Sequence, residues 1–261
     1  MMNACAAMLK PRRVTVMTLR AFILLCAMVM PAAASATCRD MEFDAQPYTV
    51  CEVAAGQDLR VFHTGADGAV LGSFGRVDEA LAAEGKTLQF AMNAGMYHSD
   101  RAPVGLLVTE GVERARIITR EGPGNFGLLP NGVFCIGDDT QPFAVVESRA
   151  FEARPPACRF ATQSGPMLVI DGALHPRFLP RGDSRYIRNG VGVSADGKTA
   201  YLAISGRPVN FYDFGRLFKD GLKTPNALYF DGKVSRLYAP ELGRNDFGFQ
   251  MGPIVGLVVV R

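Results

Sequence analysis

The sequence predicts an α+β fold, with a single domain dominated by mixed or antiparallel sheet and a few short helices. Apolar residues make up 48% of the 261-residue chain and charged residues 20%, which is enough for a sizeable hydrophobic core. The 28 glycines and 16 prolines follow no period and therefore indicate many turns. Asn-Gly and Asp-Gly pairs beside apolar runs indicate antiparallel hairpins. Together these observations disfavour a helix bundle.

The first 36 residues are typical of a secretory signal peptide. Basic residues at Lys10, Arg12 and Arg13 precede an apolar stretch over residues 21–34, which ends in the small residues Ala34-Ser-Ala36. An uncleaved membrane anchor is the alternative, but residues 21–30 are too few to span about 30 Å of hydrocarbon. We therefore predict cleavage after Ala36, no membrane span after cleavage, and a periplasmic or secreted protein.

The predicted mature domain, residues 37–261, is close to neutral. The chain has a formal net charge of +3, but residues 1–36 contain four basic residues and no acidic one. Their removal leaves 24 basic and 25 acidic residues, a net charge of −1. A near-neutral domain lacks the electrostatic attraction on which nucleic-acid binding depends, so we predict no nucleic-acid partner.

Four cysteines follow the predicted signal peptide, namely Cys38, Cys51, Cys135 and Cys158. An even number of cysteines in an exported chain favours disulfides. Three pairings are open, and the short loops favour Cys38–Cys51 and Cys135–Cys158. A zinc site is the alternative, but the mature chain has no Cys-x-x-Cys spacing and its three histidines are scattered.

The pattern of apolar residues predicts the elements in chain order. Strands are predicted over residues 48–53, 59–63, 88–92, 104–108, 167–170, 191–193, 201–204, 227–230 and 254–260. Helical spacing predicts one helix around Val77 to Leu81 and another from Phe211 to Phe218. Hairpin turns are predicted at Glu110-Gly111, Asn131-Gly132, Asp171-Gly172 and Asp196-Gly197. No linker or repeat interrupts residues 37–261, so we predict one domain over that range.

Common nucleotide-binding and hydrolase templates do not fit. Gly122-Pro-Gly124-Asn-Phe-Gly127 matches a dinucleotide-binding pattern, but that motif needs a helix to receive the pyrophosphate, and no helix fits the residues that follow. We predict a glycine-rich loop there. The chain also contains no Gly-x-Ser-x-Gly, His-Glu-x-x-His or Gly-Lys-Ser/Thr motif.

Four stretches place polar residues where a predicted strand runs into a turn. They are Asn93-Ala-Gly-Met-Tyr97, Thr162-Gln-Ser-Gly-Pro166, Arg185-Tyr-Ile-Arg-Asn-Gly190 and Asn226-Ala-Leu-Tyr-Phe-Asp-Gly-Lys-Val-Ser235. Side chains at such positions can converge at one edge of a sheet, and glycine lets a ligand approach the backbone. Any one of the four alone is explained as well by ordinary turn chemistry.

Taken in order, the four motifs resemble the phosphodiester glycosidase family, which includes the animal lysosomal enzyme that removes N-acetylglucosamine from a sugar-1-phosphodiester. The resemblance covers roughly residues 48–260 and is greatest to the small exported bacterial branch. It implies an exported hydrolase that cleaves the glycosidic bond of a sugar-1-phosphodiester. The implied substrate partner is an N-acetylglucosamine-type sugar phosphate or a related envelope glycan.

The resemblance also implies the positions of the active-site residues. It places Asn93, Gly95, Gly165, Arg188 and Asp231 at the active site, with Ser164, Asn189, Gly232 and Ser235 beside them. Animal-type members have Asp-Gly-Gly-Gly-Ser where this chain has Asp231-Gly-Lys-Val-Ser235. The loop after Asp231 is therefore expected to be stiffer and bulkier, which bears on the substrate more than on the reaction.

The chemistry of the implied reaction suggests roles for these residues. Phosphate is a good leaving group, with a second pKa of about 6, so cation contacts to it matter more than a strong general acid. We predict that Asp231 acts as nucleophile or as base toward water, and that Arg188 clamps the phosphate. The supporting roles fall to Arg185 or Arg207 on the phosphate, Asn93 and Ser164 on sugar hydroxyls or amide, and Tyr97 stacking on sugar or aglycone.

Two other interpretations stay open. A non-catalytic periplasmic glycan- or phosphosugar-binding protein would keep the same fold and site, and an envelope partner protein ranks last because no amphipathic stripe or charge run marks a protein-binding surface. We predict no cofactor and no metal, with a divalent cation as the alternative, because no acidic cluster has ligand spacing. Asp171 and Asp213 are reserve carboxylates, and His98 and His175 are better explained as surface or packing residues.

Overall fold

The computed structural model describes Met1 and residues 38–261. The predicted signal peptide and its cleavage site lie outside the described residues. None of the helices among the described residues is both long enough and apolar enough to cross a bilayer.

The described part of the chain consists mostly of short strands with three short α-helices. The strands are β1 (Cys38–Phe43), β2 (Gln46–Ala54), β3 (Asp58–Phe62), β4 (Lys86–Asn93), β5 (Leu107–Thr109), β6 (Val112–Ala115), β7 (Gly132–Ile136), β8 (Phe143–Glu147), β9 (Phe160–Ser164), β10 (Met167–Ile170), β11 (Ala173–Leu174), β12 (Asn189–Val193), β13 (Thr199–Ser205), β14 (Asn226–Asp231), β15 (Leu237–Ala239), β16 (Arg244–Asn245) and β17 (Ile254–Val260). The helices are α1 (Phe74–Ala82), α2 (Ser148–Ala153) and α3 (Phe211–Arg216), which continues into a π-helical turn over Leu217–Gly221.

The strands form three antiparallel sheets. The first has the order β1-β2-β13-β12-β14-β10-β11, the second β16-β15-β4-β17-β3, and the third β6-β5-β9-β7-β8. Each pairing in these sheets is antiparallel, including β4 with β17 and β12 with β14. The predicted α+β class with dominant sheet is therefore confirmed.

One apolar cluster draws side chains from all three sheets. Phe90 of β4, Phe134 of β7 and Phe230 of β14 are fully buried in it, and the rings of Phe134 and Phe230 lie 6.4 Å apart. Burial of one such side chain contributes about 1.5–3 kcal/mol. This shared core holds the ends of β4, β12 and β14 in place relative to one another, and the candidate site lies at these ends.

The helices cover outer faces of the sheets. In α1, Phe74, Val77 and Leu81 have the i, i+3, i+7 spacing of a buried helix face, and they pack with Leu88 of β4. The helix begins after Ser73, whose Oγ accepts a hydrogen bond from the backbone N–H of Arg76 at 3.3 Å. Val77 and Leu81, which belong to the pattern that predicted this helix, therefore lie on its buried face.

Three of the four predicted hairpin turns are present. Glu110 and Gly111 connect β5 and β6 with φ values of 49° and 73°, the left-handed conformation that a two-residue turn requires, and Asp171 and Gly172 connect β10 and β11 with φ values of 47° and 80°. Gly197 has a φ of 71° in the connection between β12 and β13. The prediction at Asn131-Gly132 is wrong, because residues 116–131 form no strand and Gly132 is the first residue of β7.

Two disulfides join the four described cysteines in the pairing that the short loops favour. Cys38 and Cys51 face each other across β1 and β2, and Cys135 of β7 is bonded to Cys158. The sequence separations are 13 and 23 residues.

Reduction of both disulfides should lower the free energy of unfolding by about 6 kcal/mol. Closing loops of this length contributes about 3 kcal/mol each through the unfolded chain. Urea unfolding with and without dithiothreitol measures the change. A variant with all four cysteines replaced by serine is the control, because its unfolding midpoint should not respond to the reductant. An unchanged midpoint for the native chain would contradict the prediction.

Candidate active site

Side chains from three distant parts of the chain meet at the buried carboxamide of Asn189, the first residue of β12. Its Oδ1 accepts hydrogen bonds from Asn93 Nδ2 and Ser235 Oγ, both at 3.2 Å. Its Nδ2 donates to the backbone oxygen of Asn93 at 2.8 Å. Because Asn93 ends β4 in the second sheet, this network fastens the ends of two sheets together.

Asn93 is occupied at both ends of its side chain. Besides the contact with Asn189, its Oδ1 accepts a hydrogen bond from the backbone N–H of Arg236 at 2.9 Å, and the residue is only 1% exposed. Both polar atoms of the Asn93 side chain are thus engaged, and its burial keeps it from contact with a sugar hydroxyl in this structure. The geometry supports a positioning role for it instead of the predicted substrate contact.

Asp231 ends β14 directly opposite Asn189 and has one carboxylate oxygen free. Its Oδ1 accepts hydrogen bonds from the backbone N–H groups of Gly232 at 2.6 Å and Lys233 at 2.9 Å. Its Oδ2 accepts none from the described residues. Burial raises the pKa of Asp231 above its ordinary value of 3.8, although the two amide hydrogen bonds act in the opposite direction. A partly buried carboxylate with a raised pKa is suited to proton transfer or nucleophilic attack.

The residue after Asp231 must be small. A Cβ on Gly232 would lie 2.3 Å from the hydroxyl oxygen of Tyr229, which is buried beneath the turn. Tyr229 therefore explains why this chain keeps the first glycine of the animal-type pattern. The next two positions are partly or fully exposed, so Lys233 and Val234 fit where the family pattern has glycine.

A cavity of about 820 Å³ opens beside Gly232. Three aromatic rings line it, from Tyr97, Tyr186 and Phe249, together with the cations Arg101 and Lys233. No carboxylate is among the described residues that line it. Asp231 is close enough for its charge to raise the pKa of Tyr97, whose burial has the larger effect. The electrostatics of this cavity favour an anionic ligand.

Arg101 lines this cavity, and one nitrogen of its guanidinium has no hydrogen-bond partner among the described residues. This nitrogen is Nε, which is buried. The backbone of Arg101 is held in place because its N–H donates to His98 O at 2.8 Å and its carbonyl hydrogen-bonds to His63 Nε2 at 2.9 Å. A buried donor without a partner is unfavourable unless a ligand satisfies it, and a guanidinium suits a phosphate oxygen.

Arg188 lies beneath the cavity and has no exposed surface. Its Nε donates to Val209 O at 2.9 Å, and its guanidinium carbon lies 3.7 Å from the ring centroid of Phe211. The guanidinium also lies 5.5 Å from the ring of Tyr186, which lines the cavity. Burial lowers the pKa of Arg188. Its Nη1, like the Nε of Arg101, is buried without a hydrogen-bond partner among the described residues, but Arg188 does not line the cavity. The geometry therefore gives the predicted phosphate clamp no direct contact, and it supports positioning of Tyr186 instead.

The Thr162–Pro166 motif packs against the Asn93 motif inside the protein. The backbone N–H of Gly95 donates to Thr162 Oγ1 at 3.2 Å, and Ser164 Oγ donates to Phe230 O at 2.8 Å. A Cβ on Gly165 would lie 2.7 Å from that of Asn131. The Ser164 hydroxyl therefore donates its hydrogen bond within the protein. None of residues 162–166 lines the cavity.

The other predicted residues lie away from the cavity. Arg185 is exposed and pairs with Asp213 at 3.6 Å, and Arg207 is exposed on the loop after β13. His175 is buried and stacks on Phe178, with ring centroids 4.8 Å apart, and burial lowers its pKa. The structure therefore brings together Asn93, Asn189, Asp231, Gly232 and Ser235, with Tyr97 at the cavity wall.

A family model described as phosphodiester glycosidase matches residues 86–253. That range contains the Asn189 network, Asp231 and the residues that line the cavity. The chain belongs to the phosphodiester glycosidase family. A protein of Escherichia coli strain K12 named YigE, which is itself uncharacterized, is 33% identical over 221 residues, which is 84% of each chain.

A solved structure of known activity shares the fold of this chain. The catalytic domain of zebrafish N-acetylglucosamine-1-phosphodiester alpha-N-acetylglucosaminidase, auto-inhibited by its pro-peptide, matches with a TM-score of 0.56. The match covers 85% of this chain and 81% of that chain at 13% identity. At this identity the comparison shows the shared fold alone.

Three residues of this phosphodiester glycosidase family member were missed by the sequence prediction. Arg101 lies four residues after Tyr97, and Arg236 directly follows Ser235, so each was adjacent to a motif already singled out. Phe249 lies in the short run Phe247-Gly-Phe249, whose only signal was two aromatic residues in a turn-rich stretch. No periodicity distinguishes a surface cation from one whose Nε is buried at a cavity.

Replacement of Arg188 by lysine should lower the free energy of unfolding by about 1–3 kcal/mol. A single ammonium cannot satisfy both Val209 O and Ser184 O, which the guanidinium contacts at 2.9 and 2.8 Å, and it loses the planar contact with Phe211. The exposed Arg207→Lys is the matched control and should change stability by less than about 0.5 kcal/mol. Equal urea midpoints for the two variants would refute the positioning role.

Proposed function

We propose that this chain is an exported hydrolase that cleaves the glycosidic bond of a sugar-1-phosphodiester, with an N-acetylglucosamine-type sugar or a related envelope glycan as substrate. Family membership supports the reaction class. The observation that carries the proposal is Asp231, a carboxylate with a raised pKa and a free Oδ2, beside a cavity that contains two cations and no carboxylate. This combination suits a substrate with an uncharged sugar and a negatively charged phosphate.

The reaction breaks the bond between the anomeric carbon and the bridging oxygen. The electron pair of that bond leaves with the phosphate as a monoester, and water supplies a hydroxyl to the carbon and a proton to solution. Asp231 contributes either as base toward that water or as a nucleophile that water then displaces. Both roles require the carboxylate form of Asp231. Both use its Oδ2, which accepts no hydrogen bond from the described residues.

Cations at the cavity stabilise the charge that accumulates on the leaving phosphate. Arg101 offers a buried Nε without a partner, and Lys233 stands next to the turn that holds Asp231. Electrostatic stabilisation of this kind is commonly the largest contribution to catalysis. We therefore assign the phosphate to Arg101 and Lys233, with Tyr97 and Tyr186 on either side of the sugar or aglycone.

Export is part of the proposal. The pairing of all four described cysteines in disulfides supports an oxidising compartment, and the leader pattern over residues 1–36 supports secretion. We propose residues 37–261 as the mature phosphodiester glycosidase domain, located in the periplasm or outside the cell.

Release of reducing sugar from a panel of sugar-1-phosphodiesters tests the proposal. The panel includes UDP-N-acetylglucosamine, and Asp231→Asn is the control. We expect release by the wild-type chain and none above background by the variant. Saturable binding of the same compounds without release would instead favour the glycan-binding protein, which the bulky Lys233-Val234 pair keeps as the second candidate.

A further inference from the structure

The loop between β16 and β17 presents two phenylalanines to solvent at the mouth of the candidate site. Phe247 is 91% exposed and Phe249 is 88% exposed. Phe249 lines the 820 Å³ cavity beside Asp231 and also a second cavity of about 480 Å³, which Phe247 lines as well. The two exposed rings therefore border two neighbouring cavities that share Phe249.

The backbone of this loop is anchored, so the exposure of the rings does not result from a lack of contacts. Arg236 Nη2 donates a hydrogen bond to Phe249 O, and Tyr97 OH donates to Gln250 O at 3.3 Å. Gly248 lies so close to the Arg236 guanidinium that a Cβ there would be 2.8 Å from Nη2. Arg236 and Tyr97 thus fix the backbone of a loop whose two phenyl rings are exposed to solvent.

The residues around the two cavities match the parts of a substrate. Gly232, which follows Asp231, lines the 820 Å³ cavity together with the cations Arg101 and Lys233. Phe249 borders both cavities, and Phe247 borders the second one. A sugar at Asp231 and a phosphate at the two cations would direct the alcohol half of the diester to the phenyl rings.

Arg244 and Asp246, two of the charged residues that line the second cavity, are already engaged within the protein, and Lys233, which lines both cavities, is assigned to the phosphate. Arg244 pairs with Asp246 at 2.8 Å, and its Nη1 donates to Thr49 Oγ1 at 3.2 Å. Asp246 Oδ2 also accepts the backbone N–H of Leu237 at 2.9 Å. A phenyl ring offers no hydrogen bond, so a hydrophilic aglycone would find few partners beside it, whereas an apolar chain would be removed from water by both rings.

We propose that the alcohol half of the substrate is an apolar chain, so that the substrate class is a sugar-1-phosphodiester of a lipid-like alcohol bound by Phe247 and Phe249. This inference rests on the proposed function for the sugar and phosphate halves. It adds a specificity for the aglycone, which the reaction itself does not require.

Two esters that differ in the alcohol alone test the inference. These are the methyl and octyl phosphodiesters of N-acetylglucosamine-1-phosphate, with the octyl ester used below its micelle concentration. We expect kcat/KM to be about tenfold higher for the octyl ester, equivalent to 1.4 kcal/mol. The Phe247→Ser/Phe249→Ser double variant should bring the octyl-to-methyl ratio to about one. Leu179→Ser, at an apolar side chain that is 70% exposed elsewhere, is the matched control and should keep the wild-type ratio.

A binding experiment separates failure of the inference from failure of the proposed function. Calorimetry with octyl phosphate and methyl phosphate uses the same variants and requires no turnover. If neither ester is hydrolysed, the proposed function fails, yet tenfold tighter binding of octyl phosphate that is lost in the double variant would still support the apolar site. Equal kcat/KM values for the two esters, or a preference for a disaccharide ester, would overturn the inference and leave the function standing. Equal binding of the two phosphates would also overturn it.

Discussion

Asp231→Asn will lower the rate of sugar release about a thousandfold or more while the fold stays intact. Asp231 has one carboxylate oxygen that accepts no hydrogen bond from the described residues, and its neighbour Gly232 lines the cavity. Removal of a catalytic base or nucleophile typically costs about two to four orders of magnitude. An asparagine side chain can still accept the hydrogen bonds from Gly232 and Lys233 through its Oδ1. The measurement is released reducing sugar at saturating substrate, with circular dichroism as a check on folding.

The pH dependence follows from the direction of the pKa shift. Burial raises the pKa of Asp231 above 3.8, and the carboxylate is the active form, so activity should fall on the acid side at a higher pH than an ordinary aspartate would give. The raised folded-state pKa also means that this group favours the folded state at low pH and that this contribution is lost as the pH rises through the raised value. Wild-type stability measured relative to Asp231→Asn should therefore increase as the pH is lowered through that value. An acid limb at an ordinary carboxyl pKa would argue against Asp231.

Gly95→Ala will lower both stability and activity, by about 1–3 kcal/mol and about a hundredfold. A Cβ at this position would lie 2.3 Å from Gln163 O and 2.5 Å from Thr162 Oγ1, so the backbone after Asn93 must move. Asn93 is part of the network that holds Asn189 and Asp231, and a displacement of about 1 Å at a catalytic group can cost a hundredfold in rate. Urea unfolding and sugar release measure the two effects.

The chain contains a matched control for this substitution. Gly75 lies in α1 with no heavy atom within 4 Å of the position that a Cβ would take. Gly75→Ala should raise the free energy of unfolding by about 0.5–1 kcal/mol, because glycine within a helix costs conformational entropy. Its activity should match wild type. If Gly95→Ala behaves like Gly75→Ala, the close packing of the two motifs plays no part in positioning Asp231.

Local patterns in the sequence were sufficient for much of the fold. Strand β17 occupies the predicted range over residues 254–260, and α1 buries Val77 and Leu81, two of the residues whose spacing predicted it. These predictions succeed because side-chain periodicity directly reflects which face of an element is buried. Strand β1 and the hairpin of β7 with β8 were missed. The five residues of β7 are all buried, so they show no alternation to identify them as a strand.

The candidate site, like the fold, was predicted from the sequence only in part. The order of four motifs was sufficient to indicate the family, and Asn93, Asn189, Asp231, Gly232 and Ser235 do come together. The roles within the set were less predictable. Arg188 is an ordinary arginine by sequence, and its burial follows from the rings of Phe211, Tyr186 and Tyr229 around it. Arg101 stood outside the motifs, yet it lines the cavity and its Nε is buried without a partner among the described residues.

The sequence by itself determined the class of fold and the motifs that indicate the family, and it favoured one of the three cysteine pairings, because each depends on residues close in the chain or on their order. Only the tertiary structure decided which polar groups remain free for a substrate. Asn93 is engaged by Asn189, 96 residues away, and by Arg236, 143 residues away. A hydrogen-bonding group is available to a ligand only if no distant element already satisfies it, and that is a property of packing which local patterns do not record.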